Sequence, residues 1–243
     1  PNRRRTGRPY GTVFGYRALG FFSTAEDLNN DNVINTDPTK GPVEWGATQW
    51  GTLRPGDIKY EDISGPDGVP DGKIDSNDEQ VIGYPDYPMM TYGLNGSANW
   101  KGFDLSLFFQ GSALRSTSIQ NFQTFPFFNN NSNLDYEYYN NRWTRDNQNS
   151  KYPIAWAAPS SNMQQGSSFW QRHMAYLRLK NVQFGYTLPK TVMNKLKMQS
   201  IRVYVAGQNV LTFQNLKFLD PETTNQVGYP AMKIFNIGAN VTF

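Results

Sequence analysis

Lys233-Ile234-Phe235-Asn236-Ile237-Gly238-Ala239-Asn240-Val241-Thr242-Phe243 is the stretch that decides the fold of this chain. Phe235, Ile237, Ala239, Val241 and Phe243 alternate with small or polar residues up to a terminal phenylalanine. One side of such a strand is apolar and the other carries Asn, Gly, Asn and Thr, as the closing strand of a membrane β-barrel requires.

Outward from this strand the same period of two recurs. Six strands are expected, at about 9–22, 90–100, 103–112, 174–188, 200–213 and 232–243. In 103–112, Phe103, Leu105, Leu107 and Phe109 share a face opposite Asp104, Ser106 and Gln110, while Phe108 breaks the pattern. Tyr92, Leu94, Ala98 and Trp100 oppose Thr91, Asn95, Ser97 and Asn99; Val182, Phe184, Tyr186 and Leu188 oppose Asn181, Gln183, Gly185 and Thr187. The apolar set in 200–213 is Ile201, Val203, Val205 and Leu211. A soluble sandwich shows this period too, so alternation alone leaves two architectures open.

Connection lengths separate them. Lys101-Gly102 is a two-residue hairpin link and Pro189 to Gln199 a short one, whereas 23–89, 113–173 and 214–231 are long. Short and long links alternate, as when one barrel rim faces the periplasm and the other carries extended extracellular loops. Soluble all-β domains rarely contain structureless loops beyond about 15 residues. Six strands do not close a bacterial barrel, which needs about eight, and an open sheet in lipid leaves backbone groups unpaired. The expectation is therefore an all-β chain, residues 1–243 forming the C-terminal part of a larger transmembrane barrel without its plug. A soluble β-sandwich carbohydrate-binding module is the alternative.

Composition fits this reading. Hydrophobic residues make up 38% yet aromatics reach 15%, with 14 Tyr, 16 Phe and 6 Trp, and no apolar run approaches the roughly 18 residues of a spanning helix. Tyr10, Tyr92, Trp100, Phe103, Tyr186, Phe213 and Phe243 fall near strand ends, where interfacial belts form. The absence of cysteine excludes a disulfide framework, a thiolate metal site and a cysteine nucleophile. A formal charge of +3 gives no basis for nucleic-acid binding, and Arg3-Arg4-Arg5 with Arg8 reads as a solvated tail or loop. The single histidine, His173, lies beside Arg172 at a strand start, no serine sits in a Gly-x-Ser-x-Gly elbow, and Glu61 and Asp62 have no apolar wall to raise a pKa. The chain reads as no enzyme.

Several motifs resemble one family. Arg54-Pro55-Gly56-Asp57-Ile58-Lys59-Tyr60-Glu61-Asp62, then Asp71-Gly72-Lys73-Ile74-Asp75 and Val81-Ile82-Gly83, are similar to the signature of the SusC/RagA family of TonB-linked outer-membrane proteins of Bacteroidetes. So are Tyr92-Gly93-Leu94-Asn95, Trp100 to Gly111, Tyr176-Leu177-Arg178-Leu179-Lys180-Asn181-Val182, Phe184-Gly185-Tyr186 and Gly207-Gln208-Asn209-Val210-Leu211-Thr212. The resemblance implies a plugged outer-membrane barrel of about 22 strands, energised through TonB by an N-terminal part absent here. It further implies pairing with a SusD-like surface lipoprotein and import of oligosaccharides or peptides.

Two loop sites are candidates. Asp67, Asp71, Asp75 and Asp78 fall at positions 1, 5, 9 and 12 of a Ca2+ loop with Gly72 at the turn, or else form an acidic turn with Asx caps. The family form resembled is a shorter Asp-x-Asn-Gly-Asp-Gly, so Gly65 to Pro70 is an elaboration of it. Asp27 to Asn35 repeats the pattern weakly and reads as an ordinary Asn/Asp loop. Phe122, Phe125, Phe127, Phe128, Tyr136, Tyr138 and Tyr139 lie among Asn129, Asn130, Asn131, Asn133, Asn140 and Asn141, a mixture that stacks on sugar rings and bonds hydroxyls, or packs against other loops or a lipoprotein.

Overall fold

The computed structural model describes residues 4–120, 126–127, 133–157, 160–216, 219–223 and 229–243. Its strands are β1 (Val13–Gly15), β2 (Ala18–Phe21), β3 (Ile58–Tyr60), β4 (Gln80–Gly83), β5 (Met90–Trp100), β6 (Phe103–Ala113), β7 (Ser116–Ser118), β8 (Gln171–His173), β9 (Tyr176–Thr187), β10 (Ser200–Gln214) and β11 (Ile234–Thr242). Helices α1 (Tyr136–Asn141) and α2 (Lys190–Leu196) are short. The chain divides into two units, residues 1–84 with 117–172 and residues 85–116 with 173–243.

The second unit is built on one antiparallel sheet in the order β11-β10-β9-β6-β5. The five strands of this sheet follow one another in chain order, with β7 and β8 in the connection from β6 to β9, the meander of an up-and-down barrel wall. Lys101 and Gly102 turn β5 into β6 with φ of 47° and 89°, the left-handed pair that a two-residue hairpin needs. Thr187 N donates to Gly102 O at 2.8 Å, which seats the turn against β9.

The register aligns one apolar face across all five strands. Trp100, Phe103, Tyr186 and Val203 form one rung, and Ala98, Leu105, Phe184, Val205 and Ile237 form the next. Farther along β9 the apolar residues change parity, from Val182 to Leu179 and Leu177. A bulge in β9 itself resolves this: on β6 Phe108 pairs with Asn181 and Phe109 with Leu179, so Lys180 is extra there, and on β10 Asn209 and Val210 face Lys180, so Leu211 meets Leu179 and Phe213 meets Leu177. Asn209 takes the left-handed conformation there, φ 54°. The parity break visible in sequence is thus absorbed by one inserted residue, and the face stays apolar.

That face is uncovered: Trp100 is 68%, Phe235 70% and Ile237 86% exposed. In a sandwich these residues would be buried against a second sheet, so the soluble alternative loses its core. Phe108, the residue that breaks the alternation, lies on the polar face over Gly93, where an added Cβ would stand 3.3 Å from its ring. Near the turn end of the same face Arg202 reaches across β9 to Asp104, Nε to Oδ1 at 2.9 Å. The intervening Gly185 has no side chain, and a Cβ there would lie 2.5 Å from the guanidinium.

The first unit has its own core. Phe22, Ile34 and Leu53 cluster with Trp45, while Tyr60 and Trp170 are fully buried. The stretch expected as one strand over 9–22 is instead β1 and β2, which pair with β4 and β3 and stay outside the five-stranded sheet. Its alternation is real, but Tyr16 N and O bond to Gly166 and Ser168, and Gly20 at φ 132° makes a bulge. Apolar alternation here serves a small folded core.

Arg54-Pro55-Gly56-Asp57 is the hub of that unit. Gly56 N donates to Phe22 O, Ile154 N donates to Gly56 O, and Phe22 N donates to Asp57 O. Gly56 has φ 92°, and a Cβ there would lie 2.7 Å from both Trp143 and Ile154. Gly56→Ala combines left-handed strain with overpacking. It is expected to destabilise this unit by about 2–4 kcal/mol, read as a loss of Trp fluorescence at lower denaturant concentration while the barrel transition stays in place.

Candidate functional site

The polar face of the sheet and the loop residues folded onto it form the candidate site. Away from the loops it presents Asn95, Ser97, Asn99, Gln183, Asn236 and Asn240, with Asp104 and Arg202 neutralising each other. Such a wall of neutral amides and hydroxyls exchanges hydrogen bonds with uncharged polar solutes.

At the loop end, Arg178 on β9 is buried, 3% exposed. Its Nε donates to Thr212 Oγ1 at 2.8 Å, one terminal nitrogen bonds both oxygens of Asp220 at 3.0 Å, and the other pairs with Glu222. Lys180 Nζ reaches Glu222 at 2.7 Å and the Tyr176 hydroxyl reaches it at 3.0 Å. Arg115, also buried, donates to Asp86 O, Pro221 O and Thr223 O. Residues 219–223 are thereby fastened to the polar face by two buried guanidinium groups. Every face of the Arg178 fork is occupied, so the cluster acts as a latch for the loop and leaves this arginine no arm for a solute.

Burial opposes the charge of Asp220, but backbone N–H groups of Glu222 and Ala231 together with Arg178 hold its carboxyl below the usual carboxylate range. A depressed folded pKa stabilises the latch above the unfolded value and loses that stabilisation as pH falls through the carboxylate range. Arg178→Ala leaves Asp220 without its cation and Glu222 with Lys180 alone, an expected cost of about 3–5 kcal/mol. Limited proteolysis should then cut between residues 215 and 233, and acidification of the native protein should expose the same segment.

The aromatic loop is only partly available for contacts. Phe122, Phe125 and Phe128, with Asn129, Asn130 and Asn131, lie outside the described residues. Phe127 is half-buried. Tyr138 is buried at 2% exposure, donates to Pro153 O at 3.1 Å and stacks on Tyr152 at 4.8 Å, so it belongs to the core rather than to a contact surface. Its helical spacing from Tyr136 and Tyr139 puts it on the opposite side of α1. Tyr136 and Tyr139 are exposed, 79% and 51%, and the Arg142 guanidinium lies 4.0 Å from the Tyr139 ring centroid. Asp135 caps the helix by accepting from Glu137 N.

In the acidic loop the carboxylates point at backbone. Asp78, fully buried, accepts from Ile63 N, Ser64 N and Asp75 N; Asp71 accepts from Lys73 N, and Asp75 from Asn77 N. Asp67 is exposed. Among the described residues no three acidic or histidine side chains converge on a point that would hold a metal ion. Asp27 likewise accepts from Asp31 N and Asn32 N.

Asp57 is buried, 1% exposed, with Trp156 Nε1 donating at 2.9 Å and Arg54 N at 3.0 Å. Burial pushes its carboxyl up to about 6 against these donors and the Arg54 charge. A raised folded pKa means stability is greatest below the unfolded value near 4 and falls as pH rises to about 6, by about 3 kcal/mol in all. Denaturant titrations between pH 4 and 7 should show this slope in the native protein and its loss in Asp57→Asn.

The chain was compared with known proteins. No protein-family profile matches it. TonB-dependent receptor P3 of Formosa agariphila is 29% identical over 254 residues, covering 98% of this chain and 23% of that protein. TonB-dependent receptor P26 of the same organism is 27% identical over 203 residues, covering 77% and 20%. A chain in the structure of the RagAB peptide importer in its open-open state superposes with a TM-score of 0.62 at 22% identity, over 96% of this chain and 22% of that one. The chain thus spans under a quarter of the length of these relatives. The chain is thus similar in sequence to a stretch of two TonB-dependent receptors, and it shares the fold of the matching part of the RagAB chain.

Proposed function

We propose that the chain forms barrel wall and extracellular loops of an outer-membrane nutrient importer that takes up oligosaccharides or peptides. The observation that carries this reading is the five-stranded meander itself, apolar and uncovered on one face, neutral and polar on the other. An apolar face of that kind suits lipid, and the polar face suits a passage for uncharged polar solutes. The outer edges of β5 and β11 carry unpaired backbone groups that lipid does not tolerate, so further strands of a larger barrel complete them. The short turns at Lys101-Gly102 and around α2 then face the periplasm, and residues 219–223, at the other end of the sheet, face the outside.

In this reading a plug and the contact with TonB belong to parts of the receptor outside these residues, and a SusD-like lipoprotein sits over the loops. Exposed Tyr136 and Tyr139, with Asn133 and Asn140 beside them, supply stacking and amide groups for that lipoprotein. Residues 67–78 act as a capped turn without bound Ca2+, supported by the use of the Asp78 oxygens as backbone acceptors.

Extraction of outer membranes in detergent, followed by mass spectrometry of everything that co-elutes, tests the assignment. A plug-bearing polypeptide containing this segment, with a surface lipoprotein alongside, is the expected result; a detergent-independent 27.7 kDa monomer would refute it. Tyr136→Ala with Tyr139→Ala should weaken lipoprotein retention by about 1–3 kcal/mol without moving the melting temperature. Retention equal to the native protein would remove these two residues from the contact.

A further inference from the structure

The turn end of the sheet carries a feature that import does not use. Lys101, Lys190, Lys195 and Lys197 are all exposed there, and residues 187–199 contain no acidic residue. Among the described residues none of these lysines has a carboxylate within ion-pair distance, and Asp104 at this end of the sheet is paired with Arg202. Helix α2 packs through buried Met193 and leaves Val192 and Leu196, one turn apart, exposed beside the lysines.

Next to this basic turn the apolar face holds a groove of about 160 Å³, lined by Phe184, Tyr186, Val203, Tyr204, Val205 and Ile237. Its lining residue Val203 stands three residues along β10 from Ser200, or roughly 10 Å at about 3.4 Å per residue. Phe103 stacks over Tyr186 and Phe184 at 4.5 and 5.7 Å, and Lys101 Nζ lies 5.0 Å from the Trp100 ring centroid. Aromatic rings at this level mark the boundary of the hydrocarbon, and the headgroup layer beyond it is only about 5–8 Å thick.

We propose that this groove and the lysines of the turn together form a binding site for an anionic glycerophospholipid of the periplasmic leaflet. An acyl chain occupies the apolar groove and the phosphate meets the ammonium groups of α2. The assignment rests on the membrane orientation given above. Charge complementarity favours it: a basic cluster without protein counter-ions sits at phosphate depth, directly continuous with a lipid-facing groove. A zwitterionic lipid offers the same chains but no net charge for the lysines.

The whole receptor, purified from its native membrane and placed in nanodiscs of phosphatidylethanolamine with phosphatidylglycerol, provides the test. Native mass spectrometry would count the lipids retained on release. The native protein should retain phosphatidylglycerol preferentially, and the K190Q/K195Q/K197Q variant should lose at least tenfold of that preference, on an expectation of about fivefold per lysine. The K190R/K195R/K197R variant should keep it. Filling the groove by Val205→Trp should lower retention of both lipids while leaving the heat-modifiable barrel band unchanged. Equal retention of the two lipids by the native protein, an unaltered preference in the glutamine variant, or retention of lipid A instead would overturn the proposal. A receptor that remains in solution without detergent would overturn the barrel reading itself, a distinct outcome read before any lipid is counted.

Discussion

A pleated strand presents successive side chains to opposite faces, and in this protein one face is apolar and uncovered while the other is polar. That two-residue period is the constraint on which the rest depends, because a shift of one residue would exchange the faces along a whole strand. The bulge in β9 at Lys180, which has no counterpart on β6 between Phe108 and Phe109, shows how tightly it is kept. With regular alternation through Lys180 instead, Leu177 and Leu179 would turn to the polar side and Arg178 to the apolar side. The bulge therefore keeps the apolar face continuous and also aims Arg178 at Asp220 and Glu222.

Glycines without steric bulk let the polar face hold charge economically. Gly185 opens a path for Arg202 to reach Asp104 over an intervening strand, so two charges near the turn end are paired within the wall. At the loop end the same role falls to buried arginines that fold residues 219–223 onto the face. Both devices pair the charges they hold within the wall, next to neutral amides and hydroxyls that exchange hydrogen bonds with uncharged polar groups. The loops before β5 and between β6 and β9 contribute a unit with a buried core of its own, centred on Gly56 and Asp57.

Much of the barrel sheet was legible beforehand. The strands at 90–100, 103–112, 174–188, 200–213 and 232–243 have near counterparts because alternation, the Lys101-Gly102 turn and the loop lengths all point the same way. The strand expected at 9–22 did not form as one element, since its alternating residues bury into a local core and the pattern carries no sign of which core it serves. Tyr138 was indistinguishable from its exposed neighbours in composition, and only the helix turns it inward. Arg178 stood out as a charge among leucines in a motif already noted, but its partners lie 42 and 44 residues away and nothing in the spacing names them.

The sequence by itself determined the period of the strands, the hairpin, the length and polarity of the connections, and hence a barrel wall with one lipid-facing side. These are local properties, set by side-chain order and by backbone preferences within a few residues. Tertiary structure alone decided which carboxylates face arginines, which face backbone N–H groups, and which aromatic residues reach the surface. Those outcomes depend on pairing between residues far apart in the chain, and such pairing exists only once the strands have taken their register.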